Sequence, residues 1–215
     1  MNKDQLKTRA TEQAYDSIEN MIATLQLEPG QAIIESDLVD LTGLGRTPVR
    51  EALMRLLAAG LIEQQPRRGL RVSEIRVAEH LILIETRRVL EHLIAIGSAR
   101  RATPRQREEL LFYANQMVNA AQANNLHAYM KADQLFDHIN HATCRNRFAV
   151  QAVSPLIIQC RRFWYAFQYE GDLEMGAKSH LHLAEGIATG SEDKAMEGAN
   201  QLMDYLELFT RKVIE

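Results

Sequence analysis

Residues 38–57 read LVDLTGLGRTPVREALMRLL. The stretch is patterned as a short helix, a turn marked by glycine, and a second helix that carries arginines at its start. Thr47 followed by Pro48 predicts the second helix to start here, with threonine as the cap and proline in the first helical position. Val49, Ala52, Leu53, Leu56 and Leu57 recur at helical spacing and are expected to face a core. Arg46, Thr47 and Arg50 are left at the exposed leading end, with the two arginines four residues apart and so on one side. That is the geometry of a recognition helix entering a DNA major groove by its N-terminal end.

Working outward, Gly60 is expected to close this helix, as glycine commonly does just past a C-terminus. Leu61–Gln64 and Leu70–Ser73 then flank the turn Gln65-Pro66-Arg67-Arg68-Gly69, which predicts a hairpin with a basic tip. A helix-turn-helix followed by such a hairpin is a winged helix. Upstream, Tyr15, Ile18, Ile22 and Leu25 mark another amphipathic helix that should stop before Glu28-Pro29-Gly30.

The whole chain of 215 residues carries a formal charge of −3, which by itself argues against a nucleic-acid binder. Local distribution reverses that conclusion. Residues 44–71 hold six arginines against Glu51 and Glu63, a local excess of +4. Phosphate attraction is screened within roughly 8 Å at physiological salt, so the local value governs. No uninterrupted apolar run reaches the roughly 20 residues needed to span a bilayer. The first residues lack the apolar segment of a secretion signal. Cys144 and Cys160 form no motif and read as reduced thiols, so a cytoplasmic setting is expected.

The pattern divides the chain into residues 1–75, the winged helix, and 76–215, where little reads as strand. Breaks at Thr103-Pro104, Asn124-Asn125, Arg145-Asn146, Gly171-Asp172 and Gly190-Ser191 separate about six helical segments. In the first of them Ile82, Thr86, Val89, Leu93 and Ile96 line one face, and Leu83, Leu90 and Ile94 another. A helix apolar on more than one side is buried in a bundle or sits at a dimer contact. The fold class is thus mainly α, a winged helix-turn-helix followed by an all-helical bundle.

The run LEPGQAIIESDLVDLTGLGRTPVREALMRLLAAGLIEQQPRRGLRV, residues 27–72, resembles the winged-helix domain of the GntR family of bacterial transcription regulators. The similarity covers about residues 9–74. It implies that Arg46, Thr47 and Arg50 contact DNA and that Arg67, Arg68 and Gly69 form the wing, with Gly69 placing it in the minor groove. Gly45 stands where the family usually has Ser or Thr, and Ser36 where some relatives carry a backbone-contacting arginine. The second half is similar to the helical effector domain of the FadR subgroup, the type called FCD. The matching pieces are ETRRVLE (85–91), DQLFDHINHATCRN (133–146) and HLHLAEGIATGSEDKA (180–195).

That resemblance implies a homodimer on an inverted-repeat operator in double-stranded DNA, acting as a repressor released by a small effector such as an organic or sugar acid. It places Arg87, Asp133, Asp137 and His180 at the effector. Many members hold a divalent metal with one Asp and three His. Asp133 and His180 fall on two of those positions. Asp137 replaces a histidine, and Leu202 stands at the last one. Two readings stay open: a weakly bound ion of the Zn, Ni or Mn type on Asp133, Asp137 and His180, or no metal. Arg87 either receives an effector carboxylate or pairs with one of the aspartates. The segment Arg161-Arg162-Phe163-Trp164-Tyr165 offers further ligand contacts, with Trp164 read as core. A metal-dependent helical-bundle enzyme fused to a winged helix is the alternative. It lacks a nucleophile elbow, a phosphate loop or an HExxH sequence, so no enzyme is expected.

Overall fold

A computed structural model describes residues 3–169 and 172–215. It divides into two compact units, one taking in the chain to Val77 together with Ile157–Phe167, the other Ala78–Leu156 with Gln168–Glu215. The expected break at Gly171 lies outside the described residues.

The first unit holds α1 (Lys3–Ala23), β1 (Ala32–Ile33), α2 (Glu35–Thr42), α3 (Arg46–Ala58), β2 (Ile62–Gln65) and β3 (Gly69–Val72). Its core is built where the helical spacing placed it. Ala14, Ile18 and Ile22 of α1 meet Leu38 of α2 and Val49, Ala52, Leu53 and Leu56 of α3, closed by Leu61, Ile62 and Val72. Leu57 is only partly buried beside this cluster. α1 ends before Leu25, which takes a left-handed backbone (φ 57), and Leu27 occupies the core instead.

Two details of α3 differ from expectation. Its first residue is Arg46, with Gly45 as an extended N-cap that offers no side-chain bond. Thr47 is therefore inside the first turn and does not cap. Pro48 is tolerated because first-turn N–H groups have no helical partner anyway. At the other end, Gly60 N–H donates to the Leu57 carbonyl and Leu61 N–H to that of Leu56, at 3.1 and 3.0 Å. This paired closure needs the left-handed φ of 72 that glycine adopts without strain.

The hairpin strands pair antiparallel, Ile62 opposite Val72 and Gln65 opposite Gly69. The two-residue β1 was not legible in the sequence. It pairs with β3, Ala32 opposite Arg71, giving the sheet order β1-β3-β2.

The second unit draws on α4 (His80–Arg101), α5 (Pro104–Gln122), α6 (Leu126–Cys144), α7 (Arg147–Phe167), α8 (Asp172–Thr189) and α9 (Glu192–Ile214). Among the described residues, α4 packs on α6, α8 and α9, and α5 packs on α6 and α8. Thr103 and Gln106 form a full capping box, and Ser191 caps α9 through Lys194 N–H at 3.3 Å. α8 and α9 cross closely enough that a Cβ at position 198 would lie 2.6 Å from the Leu183 Cα. Ser98 ties α4 to α6 by donating to Asn140 Oδ1 at 2.7 Å. The last part of α7 belongs to the first unit, where Ile158 joins the core. No described helix is long and apolar enough to cross a membrane. Cys144 and Cys160 are buried and form no disulfide among the described residues.

His80 opens α4 in a buried position, and burial together with the nearby Arg87 charge holds its imidazole down at about 4. In the unfolded chain the ring protonates near 6.5, so the unfolded state binds a proton that the folded state refuses. Stability from this site is full above pH 6.5 and is lost as pH falls toward 4, by about 3 kcal/mol at most. Urea unfolding at a series of pH values is expected to show a shallower acid limb for His80→Gln than for the native chain. Equal limbs would mean that His80 protonates freely in the folded state.

Candidate functional site

The buried side of α3 fixes what its other side presents. With Val49, Ala52, Leu53 and Leu56 in the core, Arg46, Thr47 and Arg50 are all exposed. α1 braces the helix from behind. Thr11 Oγ1 donates to Glu51 Oε2 at 2.7 Å, and Arg55 pairs with Glu12 at 2.9 Å while lying 4.0 Å over the Tyr15 ring. Arg50 has a partner that no periodicity pointed to. Its Nε and Nη2 both donate to the Glu35 carboxylate at the start of α2, each at 2.9 Å. That hydrogen-bonded carboxylate raises the Arg50 pKa further above its usual value.

At the wing, the chain turns through Pro66, Arg67 and Arg68, with Arg68 N–H donating to the Gln65 carbonyl at 3.2 Å. Arg67 takes a left-handed backbone (φ 65) and so does Gly69 (φ 85). A Cβ on Gly69 would meet no atom within 4 Å, so glycine is required here by backbone conformation and not by crowding inside the chain. Arg67, Arg68 and Gly69 are exposed. Behind the tip, Arg71 is paired with Glu63 across the strands. Of the six arginines between 44 and 71, three therefore have carboxylate partners: Arg50, Arg55 and Arg71. Arg46, Arg67 and Arg68 have none within ion-pair distance among the described residues.

The helical unit brings some of the predicted effector residues together. His180 on α8 faces Asp133 on α6, Nε2 to Oδ1 at 3.2 Å, and its Nδ1 lies 2.9 Å from the Gly176 carbonyl. Phe136 meets the ring edge-to-face at 5.5 Å. Burial pushes this imidazole down, but the Asp133 hydrogen bond and the charges of Asp133 and Asp137 outweigh it, and its pKa is held above the ordinary histidine value. A ring with acceptors at both nitrogens is satisfied as the cation, since only the imidazolium donates twice. Asp137 is thus close enough to act on His180 electrostatically. His138 and His182 are exposed.

Arg87 is not spare. Its Nε donates to Glu91 Oε1 at 2.8 Å, both side chains being at most 6% exposed. Of the two partners expected for it, an effector carboxylate or an aspartate, the ion pair drawn with Glu91 is neither. The i, i+4 spacing was available as a signal, but burial of the pair was not. Three residues of the Arg161–Tyr165 segment are engaged as well. Arg161 pairs with Glu19 at 3.3 Å, Arg162 donates to Ser73 Oγ at 3.2 Å, and Trp164 is buried. All of these contacts lie inside the first unit.

The donor set does not match the four-ligand metal site that the resemblance implies. Leu202, buried at 3% exposure, offers no lone pair at the fourth position. Among the described residues no group of three or more His, Cys, Asp or Glu side chains is arranged to hold a metal ion. A separate cleft of about 350 Å³ lies between α8 and α9, lined by His182, Glu185, Lys194 and Glu197 among others, and includes none of the predicted residues.

Two family models match the chain. Residues 10–72 match the family described as bacterial regulatory proteins, gntR family, and residues 82–205 match the FCD domain. An uncharacterized HTH-type transcriptional regulator in an unstable DNA locus of Streptomyces ambofaciens is 40% identical over 74 residues, 33% of this chain and 31% of that protein. The HTH-type transcriptional repressor RspR of Escherichia coli is 23% identical over 203 residues, 94% of this chain and 89% of that one. Among solved structures, E. coli McbR/YncC superposes with a TM-score of 0.80 at 17% identity, covering 96% of this chain and 99% of its own. That likeness extends the agreement to the fold.

Proposed function

The chain belongs to the GntR family of bacterial transcription regulators, with an FCD domain as its second half, and from that premise we propose that it is a repressor that binds an inverted-repeat operator as a homodimer and releases it on binding a small metabolite. It is a DNA-binding regulator and not an enzyme. The observation that carries the DNA reading is the exposed end of α3, with Arg46, Thr47 and Arg50, in a unit whose hairpin tip exposes Arg67 and Arg68. Arg46 and Arg50 are assigned to guanine edges in the major groove, since arginine takes O6 and N7 together. Arg67, Arg68 and Gly69 are assigned to the sugar–phosphate wall. The setting is the cytoplasm, where the DNA is.

The double variant Arg67→Ala/Arg68→Ala is expected to bind operator more weakly. The slope of log affinity against log salt should flatten by nearly one for each phosphate that is no longer neutralised. Fluorescence anisotropy across 50–300 mM salt reads this, and a slope equal to that of the native chain would remove the wing from the interface.

The effector reading rests on Asp133, Asp137 and His180. The cluster offers two carboxylates as acceptors beside one imidazole, while Arg87 donates to Glu91. A ligand rich in hydroxyl donors suits such a cluster, and among organic acids a sugar acid combines those hydroxyls with a carboxylate that can lie away from the aspartates. Thermal-shift measurements with a panel of sugar acids are expected to find one that raises Tm. Asp133→Asn should abolish the rise, while EDTA should leave it in place. A rise that disappears on chelation would restore the metal to the site.

The homodimer reading rests on α4. Ile82, Val89 and Leu93 are 50–65% exposed and, with Thr86, form one stripe along that helix. Such a stripe is costly to leave in water and is suited to a second copy of itself about a two-fold axis. Val89→Glu/Leu93→Glu is expected to sediment as a monomer at micromolar concentration. A dimer that persists in this variant would place the interface elsewhere.

A further inference from the structure

We propose that Glu35 is a specificity-determining residue of the DNA interface, acting through Arg50. The inference rests on the reading of Arg50 as a base-contacting residue. What matters first is the edge of the guanidinium that Glu35 occupies. The carboxylate accepts from Nε at 2.9 Å and from Nη2 at 2.9 Å. That is the side-on edge of the fork. The guanidinium has five N–H donors in one plane. Two are taken by Glu35, and the end-on edge, formed by Nη1 with the second N–H of Nη2, is left for another pair of acceptors. Guanine O6 and N7 are such a pair.

Glu35 and Arg50 are 15 residues apart and sit on different helices, so the contact is made by the α2–α3 turn and not by local chain geometry. Both sit on helical backbone of the first unit. Glu35 is the first residue of α2, and Arg50 follows Val49, which is fully buried. The Arg50 side chain is nonetheless 69% exposed. A long, exposed arginine would ordinarily sample many rotamers and lose that freedom on binding DNA. The two-point contact with Glu35 orders it beforehand and fixes the plane of the fork.

The same contact has a second consequence. The charge of Arg50 is offset at short range, so it adds little to sequence-independent attraction for phosphate. An uncompensated carboxylate at this surface would be repelled by DNA, so Glu35 is tolerated because its charge is shared with Arg50. Ordering the reading edge strengthens binding to the right sequence, and damping the charge weakens binding to the wrong one. Both raise the specificity ratio, which is the quantity that matters against a genome of competing sites.

The test uses the full chain and an operator selected by the native protein from a random duplex pool. Glu35→Gln keeps the size of the side chain, removes its charge and leaves one amide oxygen to accept. Affinity for the selected operator is expected to fall about tenfold, while affinity for a random-sequence duplex rises about threefold, with a steeper salt slope on the random duplex. Arg50→Ala is measured in parallel and is expected to lose about tenfold or more on the operator. In the Arg50→Ala background the Glu35→Gln change should no longer alter the ratio of the two affinities. Circular dichroism and the melting temperature confirm that each variant is folded, and Glu35→Asp, expected to fall between the native chain and Glu35→Gln in ratio, replaces any variant that is not. If Glu35→Gln raises affinity equally on both duplexes, or changes neither, the proposal is overturned and Glu35 is a bystander charge. If Arg50→Ala binds the operator as the native chain does, the base-contact reading of Arg50 fails, and with it the role given to Glu35. A loss on Arg50→Ala with an unchanged ratio in Glu35→Gln sinks only the latter.

Discussion

The outward aim of α3 depends on four side chains that point the opposite way, into the core. Val49, Ala52, Leu53 and Leu56 are at most 2% exposed and lock the rotation of the helix about its own axis. A helix fixed on one side by interdigitated packing has no freedom to turn the other side. Every property of the leading end follows from that constraint: Arg46 and Thr47 face outward, and Arg50 lands where Glu35 can reach it. The core at Ile18, Ile22 and Leu38 is the other half of the same lock, and the Thr11–Glu51 and Arg55–Glu12 contacts add direction without adding much stability.

The helical unit solves a different problem. It buries charge, and each buried charge must be compensated or it costs several kcal/mol. Arg87 and Glu91 compensate each other within one helix. Asp133 and His180 compensate across α6 and α8, with the Gly176 carbonyl fixing the ring from its far side. The two pairs differ in what they leave over. The Arg87–Glu91 pair is neutral. The Asp133–His180 pair has Asp137 within electrostatic reach, a second carboxylate acting on the same ring. Carboxylates held beside an imidazole are acceptors that a ligand with donor groups can satisfy, and that is the physical reason for proposing this cluster for the effector.

How much of this was legible in the sequence follows from how local each feature is. Helix periodicity, the Gly60 closure, the Thr103-Pro104 break and the two hairpin strands are set by residues within a few positions of one another, and each stands within a residue of where the pattern placed it. The start of α3 differs by a fraction of a turn because Thr47-Pro48 fits either as cap and first residue or inside the first turn. Gly45 supplies the extended backbone that decides between them. β1 is two residues long and exists only through its pairing with β3, so no alternation of its own could announce it. The partners of Arg50 and Arg161 are set by tertiary packing and are invisible to spacing. Arg87 is the instructive case. Glu91 lies four residues on, at the spacing of a helical ion pair, yet the family resemblance points Arg87 at the effector pocket and gives no hint of the buried pair with Glu91.

The arginines of the DNA-facing unit divide by what each one does. The local excess of +4 counts six arginines as equals, but three of them are already bonded to carboxylates in the folded chain. Arg55 and Arg71 hold α1 to α3 and β3 to β2, so their charge is internal to the scaffold. Arg50 is compensated yet exposed, a combination suited to reading and poorly suited to nonspecific attraction. Of the six, Arg46, Arg67 and Arg68 carry charge outward with no offsetting carboxylate at ion-pair distance among the described residues. A surface with three such arginines, in a chain of net −3, draws DNA weakly from a distance. Sequence discrimination must then come from directed hydrogen bonds and not from attraction to phosphate. A regulator built this way spends little time on wrong sites. On the proposed assignment of Arg50, affinity is gained where guanine edges meet a fork that is already in place, and two copies on an inverted repeat would multiply that gain.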